Sequence, residues 1–492
     1  MKAGQIARSI SPLFRLEGRI KEDFAVIRQR LEDIGYNEEN IFRLLKIPDF
    51  FALKFSYKPI YENVYLEEKT PLNIAVKLFL LRGYSTYEDL NILFNEEQID
   101  LLRKVGLLGF EEKCNYACAD LYPCLGLFIA TDHRFTGAFF SHSVYYLGND
   151  SYSLARSMNK EPVETTLDLC TGSGVQALVA SRFSREVTGV DVNSRALNFC
   201  RFNALLNQID NVKFLKGNLY QPVRGRKFDR ILSNPPFIPV PDNKILFQGG
   251  KETGEYFMEQ IVKGLSFHLK PGGWAQFVTL LVDTGEDYNE KVLSWTEDRN
   301  FSIFTMTINE ADVETYITRV VNQNPDYIKY ENELMKWYKN YKKHNIKRVA
   351  DCLIHMKQNN TGNPIKKMGH YKPFTGDFSE QVKDVFKYLE AFQNAGFKNQ
   401  LEKKSFKLSP HMDFSWEKNM INSQNQYGVV FDDNSPFMEF FIDKNKKIII
   451  DLLAEGPLSY QALEDKFQML AEAENPFQDL GFLIQNLIVI PF

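Results

Sequence analysis

The sequence predicts an α/β protein built on a doubly wound, mostly parallel sheet, with smaller helical modules on either side. Three observations carry this. Strand and helix patterns alternate in near-regular order over residues 163–283, as they do in strand–helix–strand units. The first of those strands ends in a glycine turn, Cys170-Thr171-Gly172-Ser173-Gly174. A later strand runs into Ser233-Asn234-Pro235-Pro236-Phe237-Ile238-Pro239, where the prolines stop it abruptly. Ligands of such sheets sit beyond the carboxyl ends of the strands, so both turns fall where a site is expected.

Taken in order, the first 70 residues read as helices, with Phe24, Ile27, Leu31 and Ile34 recurring at helical spacing over 20–35. Helices are expected over 72–81, 85–94 and 97–105, the second opened by the capping pattern Ser85-Thr86-Tyr87-Glu88. A hairpin is expected over 116–131. Three short helices and a β-wing resemble a winged-helix module. The third helix opens Asn95-Glu96-Glu97-Gln98-Ile99-Asp100, too acidic for a DNA-reading helix, which favours a structural or substrate-recruiting role. Cys114, Cys118 and Cys124 offer three thiols without an evident fourth zinc ligand, and small buried cysteines are the better reading. The polar segment 145–151 just before the sheet is either a lid or a linker.

Strands are then expected at 163–169, 186–190, 212–216, 228–232 and 273–281, and helices at 175–183, 194–207 and 256–269. A long helical stretch follows over 309–347. Residues 329–348 hold seven Lys or Arg against two Glu, a solvated face or a contact for an acidic group. Residues 349–356 should close the sheet as an antiparallel edge strand, with a boundary at Thr361-Gly362-Asn363-Pro364. A helix over 379–394, a hairpin over 405–431 and a final helix–helix–helix–strand order over 437–492 echo residues 71–131. The expected domains are 1–135, 136–357 with a helical insertion at about 309–347, 358–435, and 436–492.

Three strand ends carry chemistry beside the proline loop. Asp168 offers a carboxylate to a cation, and Gly172 and Gly174 permit a tight turn and close backbone approach. Asp191 ends the second strand, where it can accept both hydroxyls of a ribose. Asn218 can bond the amino edge of an adenine. In the fourth loop, Asn234 and the carbonyl of Pro235 are acceptors and Phe237 is a flat apolar face. Together they suit a planar NH₂ group.

With Leu167 to Gly174, Val190-Asp191, Ala196-Leu197, Asn203-Ala204 and Phe228 to Pro239 in view, residues 163–283 resemble the class I S-adenosylmethionine-dependent methyltransferases, whose sheet is Rossmann-like. Within these the chain most resembles the HemK family of protein-glutamine N-methyltransferases. Gln248-Gly249-Gly250 and Leu269-Lys270-Pro271-Gly272-Gly273 match as well, and the resemblance covers about a quarter of the chain. It implies S-adenosylmethionine as cofactor, held by the Cys170–Gly174 loop and Asp191, with Asn234, Pro235 and Phe237 holding the nitrogen to be methylated. The chain departs from the family at Cys170, where the usual loop has glycine, at Asn218 for a common acid, and at Phe237 for tyrosine. Phe is common there in relatives that methylate RNA guanine. The flanking modules are foreign to HemK itself.

The implied reaction is direct methyl transfer to a protein amide, with a nucleobase amine or a small metabolite as alternative acceptors. A catalytically inactive scaffold is the reading from another class. At 492 residues the chain should hold about three or four domains. A net charge of −4 argues against a general nucleic-acid binder. Six cysteines in so long a chain fit a reducing cytoplasm, and no apolar run is long enough to span a bilayer.

Overall fold

The computed structural model describes residues 13–19, 21–134, 142–241, 249–321, 327–359, 362–372, 376–394, 396–410, 412–418, 425–432, 435–438, 440–471 and 476–492. Of the positions singled out above, Ile20, Gln248 and Thr361 lie outside the described residues. The chain divides into two units. One holds Met1–Ala155, Lys160–Asp298 and Glu310–Leu353, and the other Arg156–Asn159, Arg299–Asn309 and Ile354–Phe492.

In the first unit, helices Lys21–Asp33 and Glu38–Leu45 bury Phe24, Ile27, Leu31, Ile41 and Leu45. Helices Pro71–Phe79, Tyr87–Leu93 and Glu96–Val105 follow. The short strand β1 (Tyr84–Ser85) lies between the first two, and β2 (Leu108–Glu111) and β3 (Cys114–Ala117) come after the third. The strands pair antiparallel in the order β1-β3-β2. Ser85 is paired with Asn115, so the helix cap falls one residue later than expected. It is the Thr86 hydroxyl that accepts from the Asp89 N–H, and the full capping box joins Asn95 and Gln98 in the next helix.

The hairpin expected over 116–131 is β4 (Asp120–Cys124) with β5 (Leu127–Thr131), and a second one that was not expected, β2 with β3, precedes it. Their turns are Glu112-Lys113, at φ 48° and 67°, and Leu125-Gly126, at φ 52° and 75°. Two successive left-handed residues match the twist of hairpin strands. Glu112-Lys113 lacks the usual Asn-Gly signature, so the sequence does not mark it. Cys118 and Cys124 are buried and Cys114 half-buried, all three as free thiols, and burial pushes Cys118 up to about 11. Among the described residues no group of metal-ligating side chains gathers.

Two asparagines on one helix clamp β5. Helix Ser194–Leu206 and its C-cap Asn207 present Asn203 and Asn207 four residues apart, on one face. The Asn207 carboxamide accepts from Phe128 N–H (2.8 Å) and donates to Phe128 O (2.7 Å). Asn203 does the same for Ala130 (2.8 and 3.1 Å) and also donates to Ser173 O (2.9 Å). The two amides satisfy β5 as a neighbouring strand would.

Behind this clamp stands the parallel sheet. β6 (Val163–Leu169), β7 (Ser184–Asp191), β8 (Val212–Lys216), β9 (Phe228–Ser233) and β10 (Leu269–Asp283) run in the order β10-β9-β6-β7-β8. All four pairings are parallel. Their register sets Leu169 beside Val190 and Ser233, and Asp191 beside Lys216. The loops that leave β6, β7, β8 and β9 therefore emerge side by side.

The stretch expected to be one long helical insertion is mixed. β11 (Phe301–Asp312) continues to Asp312, whose side chain caps helix Val313–Val320, and helix Tyr327–Lys343 comes later. Val313, Ile317 and Tyr341 form a buried cluster with Leu280 and Val282, against which Phe237 and Ile238 pack. β12 (Arg348–Gln358) falls where the closing strand over 349–356 was expected, one residue longer at its start and two at its end.

In the second unit, β13 (Ile365–His370) pairs parallel with β11, and helix Ser379–Ala391 follows. Three further strands appear where one hairpin was expected: β14 (Ser405–Leu408), β15 (Met412–Lys418) and β16 (Asn425–Phe431). β15 and β16 form the hairpin, with β17 (Phe440–Ile442) on its far side. Helix Lys444–Ala454, β18 (Leu458–Ser459), helices Tyr460–Leu470 and Phe477–Gln485 and β19 (Val489–Pro491) close the chain. β14 pairs with both β18 and β19, giving the order β18-β14-β19. The element order repeats that of residues 71–117, except that the middle strand comes from upstream.

The clamp predicts a large penalty for Asn203→Ala. It strips partners from the N–H and C=O of Ala130 and from Ser173 O, and each buried group left unpaired costs about 1–3 kcal/mol. Thermal unfolding should show a midpoint several degrees lower, whereas an unchanged midpoint would show that β5 does not depend on the clamp.

Candidate active site

One cleft in the first unit gathers the loops at the sheet edge. It is lined by Tyr145, Tyr146, Asp150 and Ser151 from the segment before β6, by Cys170 to Ser173 after β6, and by Asp191 to Asn193 after β7. Gly217 to Leu219 and Asn234 to Ile238 complete the floor, with Phe257 from the helix beyond.

The loop after β6 is a chain of left-handed residues: Cys170 at φ 57°, Gly172 at 56° and Gly174 at 87°. Glycine enters this region without strain, whereas Cys170 carries a cost of about 1–2 kcal/mol. Its position is the one where the family's glycine was missing in the sequence, and the backbone keeps the glycine conformation regardless. A Cβ on Gly172 would meet only Cys170 O, at 3.9 Å, so the space over that residue is open. A Cβ on Gly174 would lie 3.1 Å from Cys200 Sγ. Gly172 and Cys170 line the cleft, while Gly174 serves as N-cap of helix Val175–Ala180 behind it.

The two acidic residues part company. Asp191 lies in the cleft and accepts from the N–H groups of Asn193 (2.8 Å, Oδ1) and Gly172 (2.9 Å, Oδ2). Each oxygen keeps a further acceptor site. Burial pushes its carboxyl up, and those backbone bonds pull it back. Asp168 is 1 % exposed and is absent from the cleft lining. Its Oδ2 accepts from the Thr171 hydroxyl and from Ala177 N–H (3.1 Å), so it ties the glycine loop to the following helix. Its Oδ1 has no hydrogen-bond partner among the described residues. Burial raises it from 3.8 to about 7.

Asn218 lines the far end of the cleft, beside Leu219 at φ 47°. Val192, 43 % exposed, adds an apolar wall next to Asp191. At the other end lies the proline loop. Ser233 Oγ donates to Leu169 O (2.7 Å), fixing the end of β9. Gly250 N–H donates to Ile238 O (3.0 Å) and Val240 N–H to Lys251 O (3.1 Å), holding the loop from below. A Cβ on Gly254 would come within 2.4 Å of Phe237 O, so glycine is required there. Tyr341 Oη donates to Pro239 O (3.1 Å).

Asn234 does not hang free in the cleft. Its Nδ2 donates to Asp150 Oδ2 (2.8 Å) and to Ser151 Oγ (3.3 Å). Tyr145 Oη donates to Asp150 Oδ1 (3.3 Å). Burial pushes the Asp150 carboxyl up, while the bonds from Asn234 and Tyr145 lower it. The sequence marks 145–151 only as a polar segment near the sheet. Asp150 is 84 residues from its partner, a separation at which no spacing rule operates.

The residues present fit a nucleoside-linked cofactor: open backbone at Gly172, a carboxylate with acceptor sites to spare at Asp191, and an apolar wall at Val192. The family profile of the methyltransferase small domain matches residues 136–290. A Methanocaldococcus jannaschii protein, named for a proposed protein N5-glutamine methyltransferase activity, is 30% identical over 143 residues, 27% of this chain and 71% of its own length. The release factor glutamine methyltransferase of Fusobacterium nucleatum is 30% identical over 28% of this chain and 42% of its own length. The ribosomal protein uL3 glutamine methyltransferase of Xanthomonas campestris is 38% identical over 22% of this chain and 36% of its own length. The chain thus spans under half the length of these last two relatives. Fold, cleft and comparisons define a class I S-adenosylmethionine-dependent methyltransferase. The chain belongs to the HemK-like family of these enzymes, and S-adenosylmethionine is its methyl donor.

The raised carboxyl of Asp168 gives a signed prediction. Its folded value of about 7 lies above the ordinary 3.8. Its contribution to stability is therefore full below 3.8 and is lost as the pH rises through about 7. Asp168→Asn keeps an oxygen for Thr171 and Ala177 and removes the charge. The melting temperature of the variant relative to wild type should rise between pH 5 and pH 8. A constant difference would show that another group sets this dependence.

Proposed function

We propose that this chain methylates the side-chain amide nitrogen of a glutamine in an acceptor protein. One observation carries the reading: Asn234, Pro235 and Phe237 line the same cleft as Gly172 and Asp191, so a planar NH₂ and a nucleoside-linked donor can be held side by side. The relatives named for glutamine methylation of release factors and ribosomal protein uL3 support the acceptor class.

Asp191 holds the ribose hydroxyls through its remaining acceptor sites, and Gly172 lets the donor approach the backbone. Asn218 takes the adenine amino edge. Cys170 borders the donor, while Asp168 and Gly174 shape the loop from behind. When bound, S-adenosylmethionine supplies an electrophilic methyl group on a sulfonium. The amide lone pair is delocalised and weakly nucleophilic, so the protein's part is to orient it. Asn234 Oδ1 and the Pro235 carbonyl accept the two N–H hydrogens and favour the positive charge that grows on nitrogen. Phe237 covers the amide plane, and fixed proximity supplies much of the remaining acceleration. Transfer of that methyl would form the N–C bond as the S–C bond breaks, with one nitrogen proton leaving to solvent.

The chain is proposed to work as four segments, 1–135, 136–357, 358–435 and 436–492, with the two small helix-and-strand modules presenting the acceptor. Six free cysteines support a reducing, cytoplasmic setting. No helix among the described residues is long and apolar enough to cross a membrane.

Two substitutions separate the roles. Asp191→Ala removes hydrogen bonds to a charged group worth about 1.5–3 kcal/mol each. Calorimetry should show S-adenosylmethionine binding weakened at least about tenfold, and unchanged affinity would sink the ribose assignment. Asn234→Ala should leave that affinity near normal and lower turnover by about 10²–10³. The assay counts labelled methyl in protein, RNA and small-molecule fractions of a cell extract. Label in the RNA fraction alone would replace the protein acceptor.

A further inference from the structure

Pro235, Pro236 and Phe237 line the cleft, but shape alone does not tell an amide's NH₂ from its C=O. We propose that Asp150 is a positioning residue that fixes which end of the Asn234 carboxamide faces the acceptor, and so sets the cleft to take a nitrogen bearing hydrogens. The inference rests on the reading that the acceptor is a planar NH₂.

The two ends of a carboxamide have nearly the same shape and opposite hydrogen-bonding sense. Packing cannot choose between them, so a partner must. Asp150 Oδ2 lies 2.8 Å from Asn234 Nδ2. A carboxylate only accepts, so the Asn234 NH₂ is taken up on that side, with Ser151 Oγ as a second partner at 3.3 Å. The carbonyl end is left for the cleft. Turning the amide over would set its oxygen against the carboxylate, two acceptors face to face in a half-buried site, which is strongly disfavoured.

Asp150 is itself held. Tyr145 Oη donates to its other oxygen at 3.3 Å, and a Cβ on Gly148 would fall 1.9 Å from Asp150 Oδ1. Glycine at 148 is what lets the carboxylate fold back over its own segment. Tyr145, Gly148 and Asp150 thus form a short brace, placed before β6, that reaches across to the loop after β9. Tyr145 and Asp150 also line the cleft, so a role in holding the donor must be separated from the role through Asn234.

The test uses the full chain as wild type, Asp150→Ala, Asp150→Asn, Asn234→Ala and the double variant Asp150→Ala with Asn234→Ala. The probe is N-acetyl-L-glutamine methylamide with labelled S-adenosylmethionine, and donor affinity is measured separately by calorimetry. A preorganised hydrogen-bond partner lost at one remove should lower turnover about 10–100-fold, with donor affinity changed little. Because Asp150 acts through Asn234, adding Asp150→Ala to Asn234→Ala should cost little more. Asp150→Asn, which can donate as well as accept, should fall in between. Losses that multiply in the double variant, or wild-type turnover in Asp150→Ala, would overturn the inference. If wild type itself fails on the glutamine probe, it is the glutamine reading that falls. The same four-cornered comparison in thermal unfolding then decides the contact: overlapping midpoint losses support it, and simply additive losses overturn it.

Discussion

The site depends on the parallel register of β9, β6, β7 and β8. Parallel pairing sends every strand of this group toward the same edge, and the register brings Ser233, Leu169, Val190 and Leu215 into neighbouring positions there. Four loops from distant parts of the chain then form one floor. A single slip would turn each strand's side chains over and break the row. The fixed points at the edge are backbone bonds as much as side chains: Thr171 N–H to Val190 O, and Gly217 N–H to Asp191 O, both at 3.0 Å.

On that floor, carboxylates do different work according to where their hydrogen bonds go. Asp191 spends one acceptor site per oxygen on backbone N–H groups, which stiffen its own turn and the glycine loop together. Asp168 faces away from the cleft and joins that loop to the next helix. Asp150 turns an ambiguous amide into a directed one. Buried carboxylates are costly unless bonded, and each here is bonded to the element it positions. The strained Cys170 is tolerated for the same reason: the surrounding bonds determine the loop's path more strongly than the residue's own preference.

The N-terminal portion reaches the sheet by imitation of a strand. β4 and β5 pair only with each other within their sheet, and Asn203 and Asn207 satisfy the open side of β5. Phe14 adds a second anchor, stacking on Phe202 at 4.0 Å between centroids, while its backbone N–H donates to the Asn198 side-chain oxygen and its carbonyl accepts from the Asn198 side-chain NH₂. Within this unit the helix after β7 therefore serves two masters, shaping the turn of Asp191 at its start and holding the preceding hairpin at its end.

By itself the sequence determined the strand–helix alternation of residues 163–283, because buried parallel strands and amphipathic helices have different periods. β6 and β8 have the bounds expected of them. It also singled out Asp191, Asn234, Pro235 and Phe237 as candidates, since short motifs at strand ends encode the local turn, and all four line one cleft. Three things needed the tertiary structure. The turn at Glu112-Lys113 has no propensity signal, and its left-handed backbone is imposed by the strands it joins. β11, though apolar, has no motif at its ends to set it apart from the helical stretch expected there. The bond from Asn234 to Asp150 spans 84 residues, and only the packed sheet brings those two side chains within 2.8 Å. Periodicity and turn chemistry act over a few residues, whereas the orientation of an amide depends on what the whole chain places beside it.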